Sequence, residues 1–267
     1  MEQKIIEENG KEYIEVNGAR FEVKSRCNVC GEANVIIDAM GIENKIDCLC
    51  EKVKKAKIRQ KNLDKISGKI VVPSETFEEF VGKTKYDEMF FEKAKSFVDN
   101  FEKVLERGKS RKSNGLIFSG NSGTGKTFIS NCICNSMNEK GYTYLDITLS
   151  SYLNLLRPPV KITEEELLET IRTVELLFID DAGAEAINRD KEWAEEKIYR
   201  LFATRENGMK EFGYPTILTT NLTKEQLYKH LEMYGTTRIS SRVNGIFRYG
   251  VRNEGADRRE DESELDF

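Results

Sequence analysis

The fold of this chain is decided by the stretch Gly120-Asn121-Ser122-Gly123-Thr124-Gly125-Lys126-Thr127. It fits the pattern G-x-x-x-x-G-K-[ST] of a phosphate-binding loop. An apolar run at 116–118 precedes it, and apolar residues at helical spacing follow it over 128–137. A strand, a glycine-rich loop and a helix in this order surround an anion with backbone N–H groups and a helix N-terminus. The sequence therefore predicts that this loop binds a nucleotide.

The residue types in the loop fit that chemistry. The three glycines allow the backbone to approach the phosphates closely, because no Cβ stands in the way. Lys126 is placed to reach the β- and γ-phosphates of ATP, and Thr127 is placed to put its hydroxyl on Mg²⁺. The competing interpretation, a glycine-rich turn that matches by chance, is disfavoured by the Lys-Thr pair and by both flanks.

A second, mostly apolar stretch at 174–179 is followed by the two carboxylates Asp180 and Asp181. Parallel strands present ligand-binding groups at their carboxyl ends. We therefore expect Asp180 to hold the Mg²⁺ that Thr127 also touches, and Asp181 to orient and deprotonate the attacking water. The alternative is an ordinary charged turn at a strand end.

Downstream of the loop, strand patterns alternate with helix patterns, which favours a parallel sheet. The predicted strands cover 142–147, 174–181, 215–221 and 246–251, and the predicted helices cover 150–156, 164–173 and 238–243. Upstream, apolar spacing predicts one long amphipathic helix over 86–105.

Two polar positions in this region suggest roles in hydrolysis. Asn221 ends a predicted strand, where it is placed to sense the γ-phosphate. Arg238 and Arg242 are four residues apart and share one helix face. Arg242 is predicted to act in trans as an arginine finger, neutralising charge that develops in the transition state at a neighbour's nucleotide. The alternative is an ordinary pair of surface arginines.

Four of the six cysteines, Cys27, Cys30, Cys48 and Cys50, lie close together near the N-terminus. Thiolates at this spacing close a tetrahedron around Zn²⁺ and can replace a core too small to stand alone. No histidine is nearby, so a structural role is expected for this zinc. A redox C-x-x-C and unliganded buried cysteines are the alternatives. Cys132 and Cys134 follow the phosphate loop and are expected to pack in the core.

Length and composition limit the class of protein. The 267 residues suit one large and one small domain, with 39% hydrophobic residues for a core and 33% charged residues for a solvated surface. We see neither a signal-peptide pattern nor an apolar run of the roughly 18 residues that a membrane span needs. The expectation is a cytoplasmic protein with no membrane partner, whose cysteines are not in disulfides.

The net charge of −4 conceals local asymmetry. Residues 51–70 carry eight Lys and Arg against two acids, and residues 257–267 carry six acids against two arginines. Within the basic segment, residues 51 to about 68 are predicted to form a weakly amphipathic helix that links domains or contacts a partner or a phosphate backbone. A solvated linker is the alternative.

Taken together, the motifs resemble those of a known family. The phosphate loop is followed in order by Leu-Phe-Ile-Asp-Asp-Ala-Gly-Ala-Glu at 177–185, Thr-Thr-Asn at 219–221 and Arg-x-x-Ser-Arg at 238–242. This order resembles AAA+ ATPases, and more narrowly the DnaC/DnaI-type replicative helicase loaders and the IstB-like transposition ATPases. The resemblance covers roughly 70–260.

The resemblance implies an α/β fold, an AAA+ P-loop NTPase with a central parallel sheet flanked by helices and no C-terminal lid domain. A small N-terminal zinc-binding domain precedes it. The implied division is a helicase-interaction module at 1–52, a basic helical linker at 53–75 and an ATPase domain at 76–267. The sensor-1 role carries over to Asn221 and the arginine-finger role to Arg242, while Arg258 resembles a sensor-2 residue loosely. Asp181 departs from the family, since many AAA+ proteins have Glu there.

The implied function is ATP-dependent loading of a hexameric replicative helicase onto single-stranded DNA, by homo-oligomers joined through nucleotide-bridged interfaces. Single-strand contacts are expected from basic residues, since no aromatic strand platform is visible. Two alternatives remain: an IstB-like ATPase that acts with a transposase on duplex DNA, and a zinc-module adaptor with weak ATPase activity. A small-molecule P-loop kinase is disfavoured by Asn221 and the Arg238/Arg242 pair.

Overall fold

The structure is a computed structural model that describes residues 5–16, 18–68, 75–159, 162–184, 191–232 and 237–255. The N-terminal elements are β1 (Ile5–Glu8), β2 (Lys11–Val16), β3 (Ala19–Arg26), β4 (Ala33–Ile37), β5 (Glu43–Lys45) and α1 (Leu49–Ser67). The following elements are α2 (Lys85–Asp99), α3 (Phe101–Lys109), β6 (Gly115–Gly120), α4 (Lys126–Glu139), β7 (Tyr144–Thr148), α5 (Leu149–Leu155), α6 (Glu164–Thr173), β8 (Leu176–Asp180), α7 (Lys191–Phe212), β9 (Thr216–Thr220), α8 (Lys224–Glu232), α9 (Arg238–Ile246) and β10 (Phe247–Asn253).

The N-terminal strands form an antiparallel sheet in sequence order, β1-β2-β3-β4-β5. Its hydrophobic cluster is small, with Ile14, Ala33 and Ile36 as its buried members. Phe21, Val23 and Ile46 pack partly buried against them. A sheet with so little buried apolar surface requires an additional source of stability.

The second sheet is entirely parallel, in the order β10-β6-β9-β8-β7, which confirms the predicted architecture. All residues of β6, β8 and β9 are buried, as expected for strands covered on both faces. Because the strands are parallel and β9 lies between β6 and β8, the carboxyl ends of these three strands lie side by side at one end of the sheet. That end carries the phosphate loop, the two aspartates and Asn221.

Helices cover both faces of this sheet. Alternate residues of β6 point to opposite sides, with Leu116 and Phe118 in one hydrophobic cluster and Ile117 in the other. The first cluster includes buried residues of α2, α3 and α4, and the second includes buried residues of α5 to α9. The result is a three-layer α/β arrangement that buries the sheet and exposes only its ends and edges.

The basic segment is helical as predicted, and α1 also packs against the parallel sheet. Gln60, buried in the interface, donates to the backbone oxygen of Tyr144 (2.9 Å) and accepts from the Tyr144 N–H (3.0 Å). The side-chain amide thus pairs with the edge strand β7 as a neighbouring strand would. Leu63 and Ile66 of α1 pack against the adjacent core. The predicted boundary at 52/53 falls inside this helix.

Two details of the helical layer differ from the sequence prediction. The single helix predicted over 86–105 is wrong: α2 ends at Asp99 and α3 begins at Phe101. Asn100 separates them with φ −108° and ψ 24°, and its side chain donates to the Ser96 carbonyl. Asparagine competes for backbone hydrogen bonds in this way, which interrupts helices. Helices α7 and α8 were not predicted.

Across the described ranges, no helix is long and apolar enough to cross a membrane.

Candidate nucleotide site and cysteine cluster

The phosphate loop adopts the backbone that its glycines permit. Gly123 and Gly125 have φ of 70° and 81°, in the left-handed region where L side chains are strained. At Gly120, a Cβ would lie 2.1 Å from the Asn253 carbonyl oxygen, so no larger residue fits. The buried Lys126 donates from Nζ to the carbonyl oxygens of Gly120 (3.0 Å) and Asn121 (2.5 Å). These contacts hold the ammonium group at the mouth of the loop.

Thr127 and Asp180 come together although they are far apart in sequence. The Thr127 hydroxyl donates to Asp180 Oδ1 at 3.0 Å, and the Thr219 hydroxyl donates to the same oxygen at 2.6 Å. A hydroxyl and a carboxylate are oxygen donors of the kind that Mg²⁺ prefers. The chemistry of these residues therefore fits the predicted magnesium site.

Asp181 and Asn221 meet beside this pair. Asn221 Nδ2 donates to Asp181 Oδ1 at 3.1 Å, and the Asp181 N–H donates to the Thr219 hydroxyl at 2.8 Å. Asp181 is exposed and has φ 52°, a positive value that is uncommon for a residue other than glycine. Thr219 therefore contacts both aspartates, a role that the sequence analysis missed. Its position in the Thr-Thr-Asn motif was the available signal.

A cavity of about 640 Å³ lies over these groups, within the size range of small-molecule sites. Its lining includes both aspartates, Thr219 and Asn221, together with the loop residues Ser122, Gly123, Gly125, Lys126 and Thr127. Glu75 also lines it and was not predicted. Its carboxylate accepts from Asn131 Nδ2, and its carbonyl oxygen accepts from Asn135 Nδ2. The cavity thus brings the predicted cis residues together around one open space.

A buried polar network supports the phosphate loop from behind. Asn253, at the end of β10, donates from Nδ2 to Asp87 Oδ1 (2.9 Å) and to the Thr124 carbonyl oxygen (3.3 Å). Asp87 also accepts from the N–H groups of Lys83 and Thr84 through Oδ2. The network ties the loop to β10 and to the start of α2.

Arg242 is not among the described residues that line the cavity. It lies on α9 and forms an ion pair with the buried Glu206 of α7 at 2.6 Å. Its second terminal nitrogen donates to the Tyr199 hydroxyl at 3.3 Å. The hydrogen bonds with Glu206 and Tyr199 raise the pKa of Arg242, so the side chain stays charged. Within one chain it is separate from the nucleotide site, and Arg258 lies outside the described residues.

The four N-terminal cysteines converge at the junction of the antiparallel sheet and α1. Their sulfur atoms all lie within 4.8 Å of one another, with Cys27 3.4 Å and Cys48 3.2 Å from Cys50. Thiolates around a tetrahedral zinc with Zn–S bonds of about 2.3 Å are about 3.8 Å apart, so the cluster fits this ion. Backbone N–H groups of Cys30 and Val29 lower the pKa of the Cys27 thiol to about 6, whereas the sulfur atoms of Cys48 and Cys27 raise the pKa of the Cys50 thiol.

The other two cysteines, Cys132 and Cys134, are fully buried on α4 and belong to the hydrophobic cluster around α2 to α4. Burial raises the pKa of Cys132 to about 12. This environment suits core packing, as the sequence predicted.

Comparison with known proteins agrees with this geometry. The family model described as "ATPase family associated with various cellular activities (AAA)" matches residues 116–243. The replicative helicase loader DnaC of Escherichia coli K12 is 28% identical over 142 residues, covering 52% of this chain and 52% of DnaC. The replicative helicase loader DnaI of Bacillus subtilis is 27% identical over 134 residues, covering 50% of this chain and 40% of DnaI. The chain thus matches about half the length of these relatives or less.

Solved structures extend the similarity in fold. A crystal structure of DnaI superposes with a TM-score of 0.54 at 22% identity, covering 67% of this chain and 91% of that one. A crystal structure of the DnaC helicase loader gives 0.53 at 20% identity, covering 67% and 97%. The matched region therefore has the AAA+ P-loop fold, and the chain is similar in sequence to the DnaC and DnaI helicase loaders.

Proposed function

We propose that this protein is an ATP-dependent loader of a hexameric replicative helicase that also binds single-stranded DNA. The homology to DnaC and DnaI supports the loader role. The observation that carries the ATP dependence is the convergence of Lys126, Thr127 and Asp180 on one open cavity.

The chain's own residues perform the steps of nucleotide binding. Lys126 and the loop N–H groups bind the phosphates, and Thr127 and Asp180 hold the magnesium ion. A magnesium ion held there would neutralise charge on the transferred phosphoryl group. Asn221 contacts the carboxylate of Asp181, which accepts the proton of the attacking water in this proposal.

We expect the site to be completed between protomers. Arg242 is outside the cavity of its own chain, and Glu206 and Tyr199 hold its guanidinium group. In a homo-oligomer with a nucleotide at each interface, this arginine would contact the neighbour's phosphates. Nucleotide state would then control assembly of the loader on the helicase and on DNA.

The N-terminal sheet and its cysteine cluster form the proposed zinc-binding, helicase-interacting module. Its ligand set is four cysteines, which suits a structural metal and leaves no open position for catalysis. Since α1 carries Cys50 and also packs on β7, the module connects directly to the ATPase sheet.

The test is retention of a replicative helicase by the intact chain with ATP and with ADP, compared with Lys126→Ala and with a chain lacking residues 1–55. Lys126→Ala should lose nucleotide affinity by at least about 100-fold, because a charged contact to phosphate is removed. It should lose ATP hydrolysis while keeping its fold and its metal. The exposed Lys229→Ala is the matched control.

The outcomes separate the alternatives. Normal hydrolysis by Lys126→Ala would show that the assigned site is wrong. Retention of the helicase that ignores nucleotide and depends only on 1–55 would favour the adaptor. Retention of a transposase with duplex DNA, and of no helicase, would favour the IstB-like ATPase.

A further inference from the structure

A second cavity lies at the opposite end of the parallel sheet from the nucleotide site. It encloses about 360 Å³ between α2, α3 and the exposed edge of β10, and we name it the β10 groove. The residues that matter here are Lys93, Lys103, Arg107, Asn114, Arg248 and Tyr249. They lie on α2 and α3 or at the starts of β6 and β10, whereas the phosphate loop follows the end of β6.

The β10 groove carries positive charges that no described carboxylate neutralises. Four of its lining residues are Lys or Arg, and none of the described residues that line it is acidic. None of the four forms an ion pair with a described carboxylate. Lys103 contacts Asn100 Oδ1, and Arg107 donates to the Ser113 carbonyl oxygen. In a chain of net charge −4, such a concentration of unpaired cations favours a polyanionic ligand.

An exposed aromatic ring lies among these cations. Tyr249 is 42% exposed, with Lys93 Nζ 4.4 Å and Arg248 Cζ 4.3 Å from its ring centroid. Proteins that bind single strands combine an aromatic face for a base with cations for the neighbouring phosphates. Duplex DNA offers no such base face, because its bases are stacked on each other. The arrangement therefore favours a single strand.

A buried amide, with an oxygen unpaired among the described residues, lies in the wall of the same groove. Asn114 lines the groove at 5% exposure, and its Nδ2 donates to the carbonyl oxygens of Val104 and Gly213. Its Oδ1 has no hydrogen-bond partner among the described residues. A buried acceptor without a partner costs free energy, and a donor from a ligand would relieve that cost. Nucleobases supply N–H donors, whereas acidic side chains supply only acceptors.

From these observations we infer that the β10 groove binds single-stranded nucleic acid. Its phosphates contact Lys93, Lys103, Arg107 and Arg248. One base stacks on Tyr249 in place of one of the two cations that lie over the ring. This inference rests on the proposed function only in taking nucleic acid as the ligand. It places the contact at the β10 edge of the sheet. The basic helix α1, which the sequence analysis considered for phosphate contacts, packs at the opposite edge, on β7.

The first experiment measures binding of a labelled oligothymidylate by fluorescence anisotropy across a salt series. The variant Lys103→Gln/Arg248→Gln removes two exposed charges from the groove, and Lys57→Gln/Lys61→Gln removes two exposed charges from α1 as the control. The groove variant should bind roughly ten-fold more weakly, and its salt slope should fall by about 1.4, or about 0.7 for each lost contact. The α1 control should bind like the parent protein.

The second experiment tests the aromatic contact. Tyr249→Leu keeps a bulky side chain but removes the π face, and it should weaken oligothymidylate binding roughly ten-fold. It should leave binding of an abasic oligonucleotide of the same length unchanged. A polyglutamate peptide tests the competing ligand class, an acidic protein partner.

Three results would overturn the inference. They are an equal loss in the α1 control, normal DNA binding by both groove variants, or polyglutamate binding that matches the oligonucleotide in affinity. Failure of the loader function is a separate result, because it is measured by helicase retention. The groove variants should keep both that retention and Lys126-dependent hydrolysis. DNA binding through the groove without helicase retention would leave this inference standing and refute the loader.

Discussion

The cysteine module and the nucleotide site hold their functional atoms by different means. Around the phosphate loop, two large hydrophobic clusters enclose a sheet with fully buried strands. Around the four thiols, the buried cluster consists of Ile14, Ala33 and Ile36. The nucleotide site is therefore positioned by packing, whereas we propose that the module depends on a metal bound by its four cysteines. The contrast teaches that the two regions should respond oppositely to metal removal and to changes in nucleotide-binding residues.

The largest expected effect comes from removing the metal. Chelation, or Cys30→Ser at an exposed ligand, should unfold the antiparallel sheet while the parallel sheet stays folded. Structural zinc sites contribute on the order of 10 kcal/mol to folding, more than so small a core supplies. Hydrogen exchange should show β2 and β3 losing protection while β6 and β9 keep it.

Cys132→Ala is the control for this measurement, because it removes a thiol from the hydrophobic core and should leave the metal content unchanged. Protected amides in β2 and β3 of a metal-free protein would show that the module folds by packing alone.

An intermediate effect is expected at the proposed protomer interface. Arg242→Ala should reduce ATP turnover on the order of 100-fold or more while leaving nucleotide affinity nearly unchanged, because the arginine lies outside its own chain's cavity. Glu206→Gln should give a smaller loss, since it weakens the ion pair that orients this arginine. Steady-state kinetics measures ATP turnover, and nucleotide titration measures nucleotide affinity.

A mixture of two inactive variants provides the control for an arginine that acts in trans. Arg242→Ala chains supply an intact phosphate loop, and Lys126→Ala chains supply an intact Arg242. A mixture of the two should therefore regain turnover that neither has alone. A mixture that stays inactive, with Arg238→Ala as impaired as Arg242→Ala, would argue against a finger acting in trans.

The smallest expected effect tests the junction between the two regions. Gln60→Ala removes both hydrogen bonds to Tyr144 and leaves a buried backbone N–H and carbonyl of β7 without partners. We expect a loss of about 1–3 kcal/mol in the free energy of unfolding. Thermal unfolding measures this loss of stability. Faster hydrogen exchange of the Tyr144 amide would show that the loss arises at the contact with Gln60. Lys57→Ala, an exposed change on the same helix, should have no comparable effect, and equal shifts would mean that α1 does not dock through Gln60.

Much of the nucleotide site was predictable because its key residues are contiguous. Residues 120–127 bring their own backbone geometry, and a strand that ends in Asp180 and Asp181 identifies the acidic edge. Thr219 was not predictable in its role. Its contacts to both aspartates exist only because β9 lies between β6 and β8, and strand order is a property of the assembled sheet.

Helix α7 shows a second limit of sequence reasoning. Its Arg205 is fully buried, and its guanidinium group donates to Thr216 Oγ1 and to the carbonyl oxygens of Ile171, Val174 and Pro215. Burial lowers the pKa of Arg205 to about 9. Local pattern reasoning assigns an arginine to the surface, so the apolar face of this helix was obscured. The carbonyl groups that satisfy Arg205 come from two other segments, the end of α6 and the residue before β9.

The sequence by itself determined the phosphate loop, the acidic strand end, the grouped cysteines and the alternation that makes the sheet parallel. Each of these depends on residues that are neighbours along the chain or on a short period of hydrophobicity. Only the tertiary structure decided the bridging by Thr219, the docking of α1 through Gln60, the burial of Arg205 and the cationic groove at β10. These features join atoms from distant segments, and their distances follow from strand order and packing.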